Sequence, residues 1–102
     1  MSDQWTRHVT DPDGRTVVFD VGSHLHLAER RPRFLDHVDV ILGTVERPDH
    51  RGDDRVAGRE RFYRADFPVR GRWLRVVVDF NDEPGWIVTA LDQDNDPRLS
   101  QR

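Results

Sequence analysis

The chain has 102 residues, no cysteine and a formal net charge of −3, with charged residues at 34% and hydrophobic ones at 35%. That is one domain's worth of sequence with material for a single modest core, and it excludes disulfides, thiolate catalysis and cysteine-ligated zinc. No apolar run approaches the roughly 20 residues of a membrane-spanning helix, and Met1 to Trp5 lack the basic and apolar stretches of a secretory signal, so the expected location is cytoplasmic with no membrane partner.

In chain order, residues 5–21 are expected to form a β-hairpin. Asp11-Pro12-Asp13-Gly14 is a turn signal, because proline sets φ and glycine permits positive φ. Val17, Phe19 and Val21 alternate as a half-buried strand requires. A helical segment is expected over 23–46. Ser23 is placed as the N-cap of a short helix from His24 to Arg31. Pro32 interrupts it or opens the next helix, where its missing N–H costs nothing. Residues 33–46 then carry Phe34, Leu35, Val38, Ile41, Leu42 and Val45 as one apolar stripe, and Pro48 stops the helix.

Residues 48–58, with Pro48, Gly52 and Gly58, are expected to be a polar loop. Strands are expected over 59–67, 73–80 and 86–92, within an antiparallel segment 59–92 whose short connections join neighbours. Leu74, Val76, Val78 and Phe80 alternate toward the helix stripe. The tail 93–102 is expected to fray. The expected fold is therefore α+β: an N-terminal β-hairpin, one or two helices, then a three-stranded antiparallel meander with helices on one face. The opposite face is left for a site.

All 16 basic residues are arginine. Without lysine there is no ammonium acid, base or Schiff-base amine, and arginine serves to bind or stabilise anions. The charge is uneven. Residues 51–75 hold Arg51, Arg55, Arg59, Arg61, Arg64, Arg70, Arg72 and Arg75 against Asp53, Asp54, Glu60 and Asp66, a local +4 that leaves −7 on the rest. Such a stripe either serves an anionic ligand or is a solvated strand face.

His8, His24, His26, His37 and His50 lack metal-ligand spacing, so neither a metal nor another cofactor is expected. The run from Asp92 to Asp96 fails as a calcium loop, because Pro97 stands where glycine is needed. Only three serines are present, which argues against a Ser-His-Asp hydrolase. A histidine suits acid–base work near neutrality. On a strand Arg61 and Tyr63 share a face and Arg64 takes the other. A helix-borne histidine, the Arg61/Tyr63 pair and Thr89 on another strand are together a phosphodiester-handling set: a base, an anion clamp and hydroxyl donors.

The stretch His26-Leu27-x-x-x-Arg31-Pro32-Arg33-Phe34-Leu35, followed by Val38, Ile41-Leu42-x-Thr44-Val45 and Pro48-Asp49, resembles the barnase/EndoU/colicin/RelE-like small nucleases, in their phage- and mobile-element-associated branch. Arg61-Phe62-Tyr63-Arg64, Leu74 to Val78, and Ile87-Val88-Thr89-Ala90 extend the resemblance to about residues 24–91. It implies a compact α+β fold and metal-free RNA cleavage. Carried over, His26, Arg61, Tyr63 and Thr89 match the polar site positions, with Arg30 nearby; Arg59, Arg64 and Arg75 are the accompanying nucleic-acid-binding candidates. Arg31 stands where a second histidine is common, and Arg33 where a glutamate is common.

Two functions follow as expectations. One is a small endoribonuclease, of the toxin type found in toxin–antitoxin or phage-linked modules. In it His26 or Tyr63 activates the ribose 2′-hydroxyl, Arg30 and Arg61 stabilise the phosphorane, and Thr89 orients a phosphate oxygen. The other is a non-catalytic module of the same fold with a protein partner, such as an antitoxin. The net acidity favours the second.

Overall fold

In the computed structural model residues 6–99 are described. Nine elements follow one another: β1 (Arg7–Thr10), β2 (Thr16–Phe19), α1 (Val21–Arg30), a 3-10 helix (Pro32–His37), α2 (Val38–Glu46), β3 (His50–Asp53), β4 (Arg59–Ala65), β5 (Trp73–Asp79) and β6 (Gly85–Gln93). All six strands lie in one sheet, ordered β1-β2-β6-β5-β4-β3. The hairpin forms as expected, with Gly14 at φ +85° in its turn. Its start at residue 5 and the end of the tail lie outside the described residues.

The three-stranded meander is corrected. The run 48–58 is not all loop: β3 pairs antiparallel with β4, His50 opposite Tyr63 and Gly52 opposite Arg61. Four residues with one glycine and no apolar alternation carry no strand signal of their own, so the pairing comes from β4. At the other end β6 pairs parallel with β2 through Val17–Gly85 and Val18–Trp86. The sheet is therefore mixed, and the connection from β2 to β6 takes in both helices and strands β3 to β5.

The helices also divide differently. Asp20, not Ser23, caps α1: its carboxylate accepts from the Ser23 amide, while Ser23 at the third helical position returns a bond to the Asp20 amide. The buried Ser23 hydroxyl donates at 2.7 Å to the Ile87 carbonyl, which ties α1 to the edge of β6 beyond the end of short β2. The single helix expected over 33–46 is a 3-10 segment followed by α2, with His37 at the junction in a non-helical conformation. Its apolar stripe still meets the sheet. Phe34, Ile41, Leu42 and Val45 pack with Leu27, Val17, Phe19, Phe62, Leu74, Val76, Val78, Ile87 and Ala90 in the core, and Phe80 borders it. None of the described helices is long and apolar enough to cross a membrane.

Ion pairs lock the rim of this core. Arg15 reaches both Glu60 oxygens at 2.8 and 2.9 Å and stacks 3.6 Å over Phe80. Asp92 is shared by Arg33 and Arg72. The Arg15 guanidinium holds the Glu60 carboxyl below its ordinary value. Burial opposes ionisation of Asp92, but Arg72 and then Arg33 outweigh it and lower that carboxyl too. The arginines stay charged throughout, so the carboxylates set the acid limb. Depressed folded-state values mean stability that is complete above the unfolded values and is lost as pH falls. The expected result is a melting temperature that drops as pH is lowered through and below 4.5, the ordinary value for Glu60, as read by circular dichroism at fixed ionic strength.

Candidate functional site

The sheet's outer face, away from the helices, is built by strand alternation. On β5, Leu74, Val76 and Val78 are in the core, which turns Trp73, Arg75, Val77 and Asp79 outward. On β4, core Phe62 leaves Arg59, Arg61, Tyr63 and Ala65 outward. On β6 a register shift near Val88 lets both Ile87 and Ala90 face the core, while Thr89 opposite Val77 and Leu91 opposite Arg75 face outward.

Register then sets these residues in rows. Arg61, Val77 and Thr89 form one row across β4, β5 and β6; Gly52 on β3 extends it and adds no side chain beside Arg61. Tyr63, Arg75 and Leu91 form the next row, extended by His50. The His50 and Tyr63 rings are 5.7 Å apart, and the Tyr63 ring meets Trp73 edge-on at 6.5 Å.

Charge pairing decides which cations are available. Arg51 is held by Asp13 at 2.8 Å, Arg59 by Asp79 at 3.0 Å, Arg61 by Asp54 at 2.8 Å, and Arg72 by Asp92 at 2.6 Å with Asp94 also bound. Three arginines of the stripe, Arg51, Arg59 and Arg72, are thus paired with acids drawn from elsewhere in the chain, and Arg61 with Asp54 inside it. Arg75 differs. Its Nε is buried without a hydrogen-bond partner, and no carboxylate bonds its guanidinium among the described residues. A buried donor left unmade costs about 1–3 kcal/mol, so the protein holds a cation in the middle of this face at a cost to its own stability.

The neighbouring groups form a charged pair. Burial alone would raise the Asp54 carboxyl, but the Arg61 guanidinium and the Val56 amide outweigh it and lower it, with Arg75 adding to the effect. Burial likewise works against the Arg61 charge; Asp54 and the Tyr63 oxygen outweigh it and raise that pKa. Both groups stay charged near neutrality, so Arg61 is fixed in place and Arg75 is the open clamp.

The sequence-derived candidates separate into two sets. Arg61, Tyr63, Thr89, Arg75 and Arg59 share the outer face, the last occupied by Asp79. Arg64 is exposed on the helix side of β4, as alternation requires, and lies away from them. His26 is half-buried and Arg30 exposed on α1; no hydrogen bond, ion pair or ring contact joins either to the strand-borne set among the described residues. His50 and Asp54 were not expected at the site. Recognising β3 as a strand would have placed His50 opposite Tyr63. No three histidine or acidic side chains cluster as metal ligands among the described residues.

The face is not fully open, as the sequence had implied. Beyond β6 the tail does not simply fray: Pro97 is buried, and the Arg98 guanidinium lies 5.2 Å from the Trp73 ring centroid. In comparisons with known proteins, no family model matches the chain, and neither a curated protein nor a solved structure matches it.

Proposed function

We propose that this protein is a small metal-independent endoribonuclease of the toxin type, and that the outer sheet face is where it holds an RNA phosphodiester. The observation that carries the reading is Arg75, a half-buried arginine whose buried Nε has no hydrogen-bond partner, set in register between Tyr63 and Leu91 and beside Arg61 and Thr89. Two oxygens of a phosphate can pair with such a group bidentately, and their charge matches it. The resemblance to barnase/EndoU/colicin/RelE-like nucleases supports the same chemistry.

In this reading His50 and Tyr63 handle the proton. A base takes the 2′-hydroxyl proton, the 2′-oxygen attacks phosphorus, and the bond to the 5′-oxygen breaks as that oxygen is protonated. The products are a 2′,3′-cyclic phosphate and a 5′-hydroxyl. Arg75 and Arg61 stabilise the added charge on the phosphorane, and Thr89 orients one of its oxygens. The need for a 2′-hydroxyl makes RNA the substrate.

The test is incubation of purified protein with single-stranded RNA in the presence of a chelator, with end-group analysis of the products. Cyclic phosphate ends are expected from the wild type, and Tyr63→Phe and His50→Ala are each expected to slow cleavage by about a hundredfold or more. His26→Ala and Arg30→Ala, on α1, are expected to retain most activity. Induced expression in a bacterial host is expected to arrest growth with the wild type only. RNA bound but left intact would identify the alternative instead, a non-catalytic module of this fold acting through a protein partner.

A further inference from the structure

The segment after β6 crosses the outer face next to the site. Its backbone bond, from the Leu99 amide to the Asp96 carbonyl, is internal, as is the Asp96–Arg98 ion pair at 2.7 Å. It is tied to the sheet through buried Pro97, Arg98 over Trp73 and an Arg72–Asp94 pair. The Asp94 and Arg98 side chains are 80% and 60% exposed. A segment with one buried anchor and exposed ion pairs opens at low free energy relative to the sheet beneath it.

What the segment covers is suited to a nucleobase. Trp73 and Arg75 are two residues apart on the same face of β5, about 7 Å along the strand. That is the separation over which a nucleotide places its base from its phosphate. Trp73 is only 7% exposed, and the Arg98 guanidinium lies over its ring. A guanidinium is the side-chain group that stacks on aromatics as a flat π-system, as a base does. The tail thus presents a planar cation to the position that a base would take.

We propose that residues 94–99 are a strap over a nucleobase subsite, and that single-stranded RNA displaces the strap so that a base stacks on Trp73 where Arg98 now lies. This rests on the phosphodiester reading of the Arg75 face and adds to it the substrate's base and the control of its entry. Binding is then limited by the fraction of molecules with the strap open, and the apparent affinity scales with that fraction.

The test uses the full chain and a fluorescein-labelled, 2′-O-methyl single-stranded oligonucleotide, which binds without being cleaved, followed by anisotropy and tryptophan fluorescence. Arg98→Ala is expected to tighten binding about two- to fivefold, the shift in open population that loss of an exposed cation–π contact produces. Pro97→Gly, which loosens the buried anchor, is expected to act in the same direction. Tryptophan emission is expected to fall on binding as a base stacks on Trp73. Unchanged or weaker binding in both variants, or no quenching on binding, overturns the strap and its subsite. Arg75→Met separates the two readings. If it binds as tightly as wild type, the phosphodiester reading itself fails. If binding depends on Arg75 but neither tail variant gains affinity, only the strap fails.

Discussion

Replacing Arg75 with methionine will abolish RNA cleavage without lowering the protein's stability. Methionine keeps most of the length and apolar volume of the arginine stem, so the packing between Tyr63 and Leu91 is retained. It removes a buried Nε that has no hydrogen-bond partner, and with it a penalty of about 1–3 kcal/mol. The melting temperature is therefore expected to stay level or rise. Function moves the other way. A preorganised cation facing developing charge is worth about a hundred- to a thousandfold in rate, and among the described residues no other outer-face guanidinium is unpaired to replace it. Arg61 is committed to Asp54 and Arg59 to Asp79. A variant that melts lower and cleaves as well as wild type would make Arg75 a structural residue and remove the main support for the site. The opposed signs of the two readouts are what a purely structural arginine does not produce.

How this site arises from the sequence explains why only part of it was readable there. Alternation on β4 and β5 fixes which side chains point outward, so the common face of Arg61, Tyr63 and Arg75 follows from Phe62, Leu74 and Val76 being apolar. Thr89 also falls on that face, although the shift near Val88 breaks simple alternation on β6. His50 was hidden because β3 has no apolar period; it is a strand only because β4 offers it an edge. The parallel pairing of β2 with β6 was hidden for a related reason. It rests on two residue pairs and on a crossover spanning most of the chain, and no local pattern encodes that. The tail was hidden because one proline and one arginine anchor it, in a segment whose composition is that of a loop. Charge counting misled most directly. The +4 of residues 51–75 is real, but Asp13, Asp79, Asp92 and Asp94, all outside that stretch, take up Arg51, Arg59 and Arg72. Which arginine remains available is a property of the folded pairing and not of composition.

The largest loss of stability outside the apolar core is expected from Asp11→Ala. Asp11 opens the hairpin turn, and its carboxylate is fully buried. One oxygen accepts from the Asp13 and Arg15 amides at 3.0 and 2.8 Å; the other accepts from Arg15 Nε at 2.9 Å. The same guanidinium continues to Glu60 on β4 and lies over Phe80, so a single carboxylate connects the β1–β2 turn to the far side of the sheet. Alanine leaves two backbone amides without their acceptor and leaves Arg15 with Glu60 and a longer pair to Asp13 at 3.6 Å. Unmade buried bonds and a broken buried charge pair together place the loss at about 3 kcal/mol, measured as the difference in urea unfolding free energy. Glu60→Gln is expected to cost less, because the amide still accepts from Arg15 and the turn is untouched. The two changes share one guanidinium, so their effects are expected not to add. If the double variant loses the sum of the single losses, Asp11 and Glu60 act separately and Arg15 does not couple the hairpin to β4. Destabilisation here is also expected to leave cleavage by the remaining folded protein unchanged, since Arg15 and Glu60 border the core and Arg75 lies on the opposite face. That separates loss of fold from loss of site in the same assay that tests Arg75.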